Sequence, residues 1–248
     1  MSGHFASHFP ESGAVDYSDQ STNIDETTID ELRELAGRYP QARSALLPML
    51  HLVQSVDGRV SPRGIEVCAD ILGITTAQVS GVATFYTMYK RRPAGKHHVG
   101  VCTTALCAVM GGDMLLERAK QRLGIDEGQT TPDGQVSLER LECNAACDFA
   151  PVMMVNWEYF DNMTPETTDA LLDALMNDEQ VSSPRGATLT SWKAAERVLA
   201  GFPDGRADEG PSAGHASLLG REIARENDWR APDPNNLPKS ESVTEEAK

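Results

Sequence analysis

The sequence predicts a mixed α and β protein: a polar arm over 1–26, a helical domain over 27–93, an α/β layer domain over 94–180 and an extended C-terminal tail over 181–248. Three observations predict it. Apolar residues recur at helical spacing from Ile29 to Tyr86, the hydrophobic period changes after the basic, turn-like KRRPAGK, and Pro, Gly, Asp and Ser accumulate beyond residue 181. A chain of 248 residues can bury real cores, so its stability need not rest on disulfides.

The arm has few periodic hydrophobics and is expected to be flexible. Thr28 with Glu31 fits a capping box, and Ile29, Leu32, Leu35 and Ala36 then share one helical face. SALLPMLHLVQSV is apolar on most faces and is closed by Asp57-Gly58. In SPRGIEVCADILG, Ser61 reads as an N-cap, Pro62 as the first helical residue and Gly73 as the stop, with Ile65, Cys68, Ile71 and Leu72 on one face. TTAQVSGVATFYTMY has a Thr cap and a stripe of Val79, Val82, Ala83 and Tyr86. Beyond the turn, HHVGVCT reads as a strand, GDMLLERAKQRLGI as an amphipathic helix, QVSLERLEC and PVMMVNW as two more strands, and PETTDALLDALMND as a capped helix. That order suits a compact layer structure. In the tail, SWKAAERVLAGF and ASLLGREIAREND are two short amphipathic candidates; the first aligns Trp192, Ala195, Val198 and Leu199. PDGRADEGPSAG between them has linker composition. Helices this short need a surface, so Trp192 and Trp229 are expected to anchor the tail in a partner groove.

A formal net charge of −15 gives no electrostatic footprint for nucleic acid or anionic lipid. No apolar run approaches the ~20 residues that span a bilayer. The first thirty residues carry no Lys or Arg, so neither a secretory signal nor an Arg-rich transit peptide is expected, and the chain is predicted to stay in the reducing cytoplasm.

Four of the five cysteines form two close pairs, Cys102 and Cys107 as C-x4-C, then Cys143 and Cys147 as C-x3-C, with thirty-five residues between the pairs. Both pairs fall at strand ends, where groups are displayed on a rigid scaffold. Four thiolates so spaced can hold zinc or an iron-sulfur cluster, and spacing alone leaves that choice open. The ample apolar content favours a cluster, since structural zinc more often organises domains too small to fold without it. A Rieske centre needs two His ligands, and His97 and His98 read instead as polar residues at a strand start. No C-x-x-C supports dithiol exchange. A 2Fe-2S cluster with four thiolates carries a formal charge of about −2 oxidised and about −3 reduced, which nearby donors must offset. Thr103 and Thr104 supply hydroxyls and backbone N–H groups, and Ala145 and Ala146 let the backbone approach; a plain helix N-cap is the other reading of the two threonines. Cys68 reads as a small core hydrophobe.

VCTTALC, the spacing to ECNAACDFAPV, the following VNW and the upstream VATFYTMYKRRPAGKHHVGVC resemble the thioredoxin-like 2Fe-2S subunit of the NADH dehydrogenase module of respiratory complex I, over roughly residues 27–180. The resemblance implies a helical N-terminal domain, a thioredoxin-like 2Fe-2S domain, and Cys102, Cys107, Cys143 and Cys147 as ligands, one pair per iron. It implies an electron-transfer subunit of an NADH:quinone oxidoreductase with no catalytic residue or substrate site of its own. FMN and NADH would be bound only by a partner subunit, beside other subunits of the peripheral arm on the cytoplasmic side of the membrane. No G-x-G-x-x-G in this chain supports dinucleotide binding here. Phe149 and Trp157 are candidate contacts to the flavin subunit, and the tail is expected to lie across that subunit. One departure stands out: Asn144-Ala145 replaces the Leu-Gly that follows the third ligand in many members. The same domain pair resembles small subunits of NAD-linked formate dehydrogenases and hydrogenases, and a structural zinc module remains the third reading.

Overall fold

The computed structural model describes residues 21–210 and 215–230, in two compact units divided after Gly210. The arm expected over 1–26 lies outside the described residues as far as position 20. Its last residues are tied down, with Asn23 N–H and Thr22 Oγ1 donating to the Asp57 carboxylate at 2.6 and 2.9 Å.

Four helices build the first core: α1 (Glu26–Gly37), α2 (Leu46–Asp57), α3 (Pro62–Leu72) and α4 (Thr76–Phe85). α3 begins and ends as its sequence predicts, with Ser61 Oγ accepting from Gly64 N–H at 3.0 Å and Gly73 left-handed at φ 63°. Thr75 and Gln78 form a capping box on α4. α1 differs. Asp25 caps it, accepting from the Thr28 N–H and hydroxyl at 2.8 Å each, so the helix enters three residues before the expected Thr28 cap. Asp is at least as good an acceptor there, and the shift buries Thr28. Leu32, Leu35, Met49, Leu50, Leu52, Val53, Cys68 and Val79 fill the centre; each large side chain so buried contributes roughly 1.5–3 kcal/mol. α2 and α3 approach so closely that a Cβ on Gly64 would lie 2.3 Å from Val53 Cγ1. Cys68 is core, as expected: burial pushes its thiol up to about 12.

The second layer is a four-stranded sheet in the order β2-β1-β3-β4. β1 (His97–Cys102) pairs in parallel with β2 (Val136–Leu141), and the crossover between them carries α5 (Ala105–Val109) and α6 (Gly112–Leu123). β3 (Met153–Val155) runs antiparallel to β1, and β4 (Glu158–Phe160) antiparallel to β3. α7 (Pro165–Met176) packs beside α6, and Leu115, Leu116, Leu138, Met153 and Leu172 form the core between helices and sheet. The strand predicted to run through VNW stops at Val155. Asn156 and Trp157, at φ 51° and 73°, turn the chain into β4, which the sequence reading lacked. Asn156 holds that turn by accepting from His98 N–H at 2.7 Å and donating to Thr190 O at 2.7 Å.

Residues 181–210 are not a free tail. α8 (Trp192–Leu199) packs on α2, with Trp192 and Glu196 both 0 % exposed. Arg197 clasps Glu31 through two hydrogen bonds of 2.5 and 3.0 Å, and Lys193 Nζ donates to Val56 O at 2.8 Å. The predicted stripe is therefore corrected: Val198 and Leu199 face solvent, while Glu196 turns inward beside Trp192. The carboxylate is tolerated because it accepts from His51 Nδ1 at 2.6 Å, Gln54 Nε2 at 2.8 Å and Trp157 Nε1 at 2.8 Å. Trp192 is an anchor in its own chain. In the second unit α9 (His215–Glu226) is amphipathic, with Leu219, Ile223 and Trp229 exposed. Among the described residues no single helix is long and apolar enough to cross a membrane.

Candidate metal centre

The four paired cysteines meet at one edge of the sheet. Cys102 ends β1, Cys107 lies in α5, Cys143 follows β2 and Cys147 opens a 3-10 turn (Cys147–Phe149). Because β1 and β2 are parallel, both strands deliver their carboxyl ends to the same side, where Cys102 N–H donates to Val152 O at 3.1 Å and Thr103 N–H to Leu141 O at 3.5 Å. α6 begins hard against this edge: a Cβ on Gly112 would stand 2.4 Å from Cys102 O and 2.9 Å from Cys107 O. Glycine is required there to let the start of α6 lie against the backbone of the first thiol pair.

The pairs differ in setting. Cys102 and Cys107 are 2 % and 3 % exposed, walled by Ala146 and Val152 with Phe149, Ala150 and Tyr159 packed behind. Cys143 and Cys147 are exposed free thiols, hydrogen-bonded to each other with their sulfurs 3.6 Å apart. Two thiolates on one tetrahedral metal, with metal–sulfur bonds of about 2.3 Å, stand about 3.8 Å apart. The second pair is thus already at ligand spacing. Among the described residues no three His, Cys, Asp or Glu side chains gather as they would on a single ion.

Electrostatics fit an anionic cluster. Burial pushes the Cys102 thiol up, but N–H groups of Thr104 and Asn144, the Cys107 thiol and the Thr104 hydroxyl outweigh it and leave it below its ordinary value. Cys107 is pushed up to about 11 by burial and by the charges of Cys102 and Cys147. Cys147 is raised by its hydrogen bond to Cys143 and by the Cys143 charge. Charge on Cys102 and Cys143 thus disfavours ionisation of Cys107 and Cys147, a conflict that a cationic core between them would remove. N–H donors surround the sulfurs as well. Ala145, left-handed at φ 55°, points its N–H at Cys143 Sγ from 3.4 Å. Asn144 Nδ2 is buried without a protein acceptor, a donor that a cluster sulfur can accept.

Thr104 stands at the N-cap of α5 without capping it; its hydroxyl lies 3.8 Å from Cys102 Sγ. Thr103 Oγ1 instead accepts from Arg140 at 2.8 Å. His97 and His98 are buried at the far end of β1, where His98 Nε2 meets Glu139 at 2.9 Å. They are not at this edge, since four residues of strand span roughly 13 Å. Phe149 does line it, whereas the Trp157 indole is stacked on His98 and bonded to Glu196. Trp157 is therefore corrected from partner contact to internal anchor. Two groups at the edge went unread in the sequence. Tyr159, on the missed strand, donates to Asn144 O at 2.9 Å, and Arg185 lies over the Tyr159 ring. The alternation in WEYF could have shown the first; nothing in the sequence marks the second.

Residues 32–176 match the thioredoxin-like 2Fe-2S ferredoxin family, whose cluster suits this donor set, and the chain belongs to that family. Its relatives are more particular. It is 54 % identical over 203 residues, 82 % of this chain and 81 % of the relative, to a component of the NADH-quinone oxidoreductase of Mycobacterium tuberculosis. It is 38 % identical over 157 residues, 63 % of this chain and 94 % of the relative, to a component of the NADH-quinone oxidoreductase of Rhizobium meliloti. Among solved structures, an NAD+-reducing NiFe-hydrogenase in the air-oxidised state aligns at a TM-score of 0.49 and 18 % identity, over 54 % of this chain and 23 % of that one.

Proposed function

We propose that this chain is the electron-transfer subunit of a respiratory NADH:quinone oxidoreductase, with a 2Fe-2S cluster held by Cys102, Cys107, Cys143 and Cys147. The observation that carries the reading is the gathering of two thiol pairs at the carboxyl ends of two parallel strands, ringed by N–H donors. When bound, such a cluster supplies a one-electron couple. The chain's own residues do the rest. Cys102 and Cys107 hold one side away from water, Ala146 and Val152 keep the wall apolar, and N–H groups of Thr104, Asn144 and Ala145 balance the added negative charge.

The electron donor is a reduced FMN in a partner subunit that also binds NADH, within the peripheral arm on the cytoplasmic side of the bacterial membrane. Cys143 and Cys147 are exposed, as are the apolar side chains Leu106, Val109, Met110 and Met114 close in sequence to Cys107, which supports electron entry from this side of the domain. The exchange stores a single electron from flavin. The experiment is reconstitution with the flavin subunit. NADH should then reduce the EPR-active centre of this chain within the flavin turnover time, and a centre that NADH never reduces in that complex would sink the reading.

A further inference from the structure

Beyond residue 176, where the family match ends, the chain folds back over the β3–β4 hairpin and reaches the metal-binding edge. Ser183 Oγ donates to Tyr159 O at 2.8 Å and accepts from Arg185 N–H at 3.0 Å, while Gly186 N–H returns to Ser183 O at 2.8 Å. This tight turn presents Arg185. Its guanidinium pairs with Asp161 through two hydrogen bonds of 3.0 and 3.1 Å, lies 4.1 Å from the centre of the Tyr159 ring and 5.5 Å from that of Phe149. Each ring fastens one end of the loop that bears the exposed ligands. Tyr159 Oη donates to the carbonyl of Asn144, next to Cys143. Phe149 closes the turn that Cys147 opens, and its carbonyl accepts from Asn162 N–H at 2.8 Å.

We infer that Arg185 is a positioning residue for the cluster: its planar fork, fixed by Asp161, clamps Tyr159 and Phe149 and so holds the Cys143–Cys147 loop with its N–H donors aimed at the sulfurs. The inference rests on the four-cysteine cluster proposed above. Hydrogen bonds to cluster sulfurs and nearby charge set the reduction potential. A loop released by loss of the clamp offers weaker donors, and an Asp161 carboxylate left unpaired and largely buried adds negative charge beside the centre. Both effects disfavour the incoming electron. Lysine keeps the charge but lacks the flat two-pronged face that stacks and pairs at once.

The test is EPR-monitored potentiometry on the full-length holoprotein, with iron and labile sulfide measured on each sample. Arg185→Met should lower the equilibrium constant for one-electron reduction about tenfold, a downward shift of about 59 mV for one electron, and broaden the EPR lines at unchanged iron content. Arg185→Lys should shift the potential the same way by less. Tyr159→Phe, which removes only the hydroxyl on Asn144, should reproduce part of the shift. A wild-type potential and line shape in Arg185→Lys and Tyr159→Phe would overturn the inference even if Arg185→Met lost its iron. Wild-type protein without iron or sulfide would overturn the cluster reading and this inference together, whereas a normal wild-type cluster with unmoved variants would overturn this inference alone.

Discussion

Glu196→Ala is the perturbation whose cost the structure sets most tightly. The carboxylate is fully buried and is the shared acceptor for His51 Nδ1, Gln54 Nε2 and Trp157 Nε1. Trp157 is half-buried and can turn to water, but His51 and Gln54 are not and cannot. Leaving a buried donor without an acceptor costs about 1–3 kcal/mol, so two such donors cost about 2–6 kcal/mol, with about 4 kcal/mol as the centre. At ~2–4 °C per kcal/mol for a chain of this size, the melting temperature should fall by roughly 8–16 °C. Glu196→Gln keeps the volume but brings a donor among donors, and should fall between alanine and wild type. Far-UV circular dichroism gives the melt, and the visible spectrum of the folded protein should be unchanged because the network lies at the opposite end of β1 from Cys102. A melting point within about 2 °C of wild type would refute the view that α8 is locked to α2 through this carboxylate.

The ligand assignment predicts that alanine at Cys102, Cys107, Cys143 or Cys147 strips or badly damages the visible chromophore, while Cys68→Ala keeps it and costs only ~1–2 kcal/mol of core packing; absorbance and chemical denaturation read the two effects separately. Truncation after Gly210 should leave spectrum and melting point close to wild type, whereas truncation after residue 180 removes Trp192 and Glu196 and should lower thermal stability as much as Glu196→Ala or more. Co-purification with the flavin subunit then shows whether 211–248 alone strengthens assembly. Acid should destabilise the protein in two stages. His98 is held below its ordinary 6.5, first by burial and also by Lys90, against the hydrogen bond to Glu139, so its contribution is present above pH 6.5 and is lost as pH falls below it. Burial raises Glu139, but His98 and Lys90 outweigh that and hold it below 4.5, so its contribution goes at lower pH still, as pH falls through its depressed folded value. Melting temperature against pH should show both falls, and His98→Gln should erase the first and shrink the second, because Glu139 then keeps only Lys90 as its partner.

What could be read from sequence and what could not divides along local and non-local physics. Ser61-Pro62 and Gly73 bracket α3 because caps and stops act within a single turn. The cysteine pairs were legible because ligand spacing is local and strand ends are periodic. β4 was hidden because its turn uses Asn156-Trp157 rather than a glycine pair, and the tertiary bonds of Asn156 to His98 and Thr190 hold a Trp left-handed. The cap of α1 slipped by three residues because Asp25 and Thr28 compete for one role within hydrogen-bonding reach. Residues 181–210 looked like a partner's ligand because a carboxylate on an apolar stripe reads as solvated. His51, Gln54 and Trp157, all earlier in the chain, make its burial tolerable. Arg185 is invisible for the same reason: its meaning lies in two rings and an aspartate brought to it by the hairpin.

The central claim is that four thiols gathered at this sheet edge hold an iron-sulfur cluster rather than a single metal ion. Metal and labile-sulfide analysis of the anaerobically purified full-length chain, with EPR after chemical reduction, tests it most directly. The account predicts about two irons and two sulfides per chain and a reduced-state signal that integrates to about one spin. Stoichiometric zinc without labile sulfide, and no signal on reduction, would contradict it.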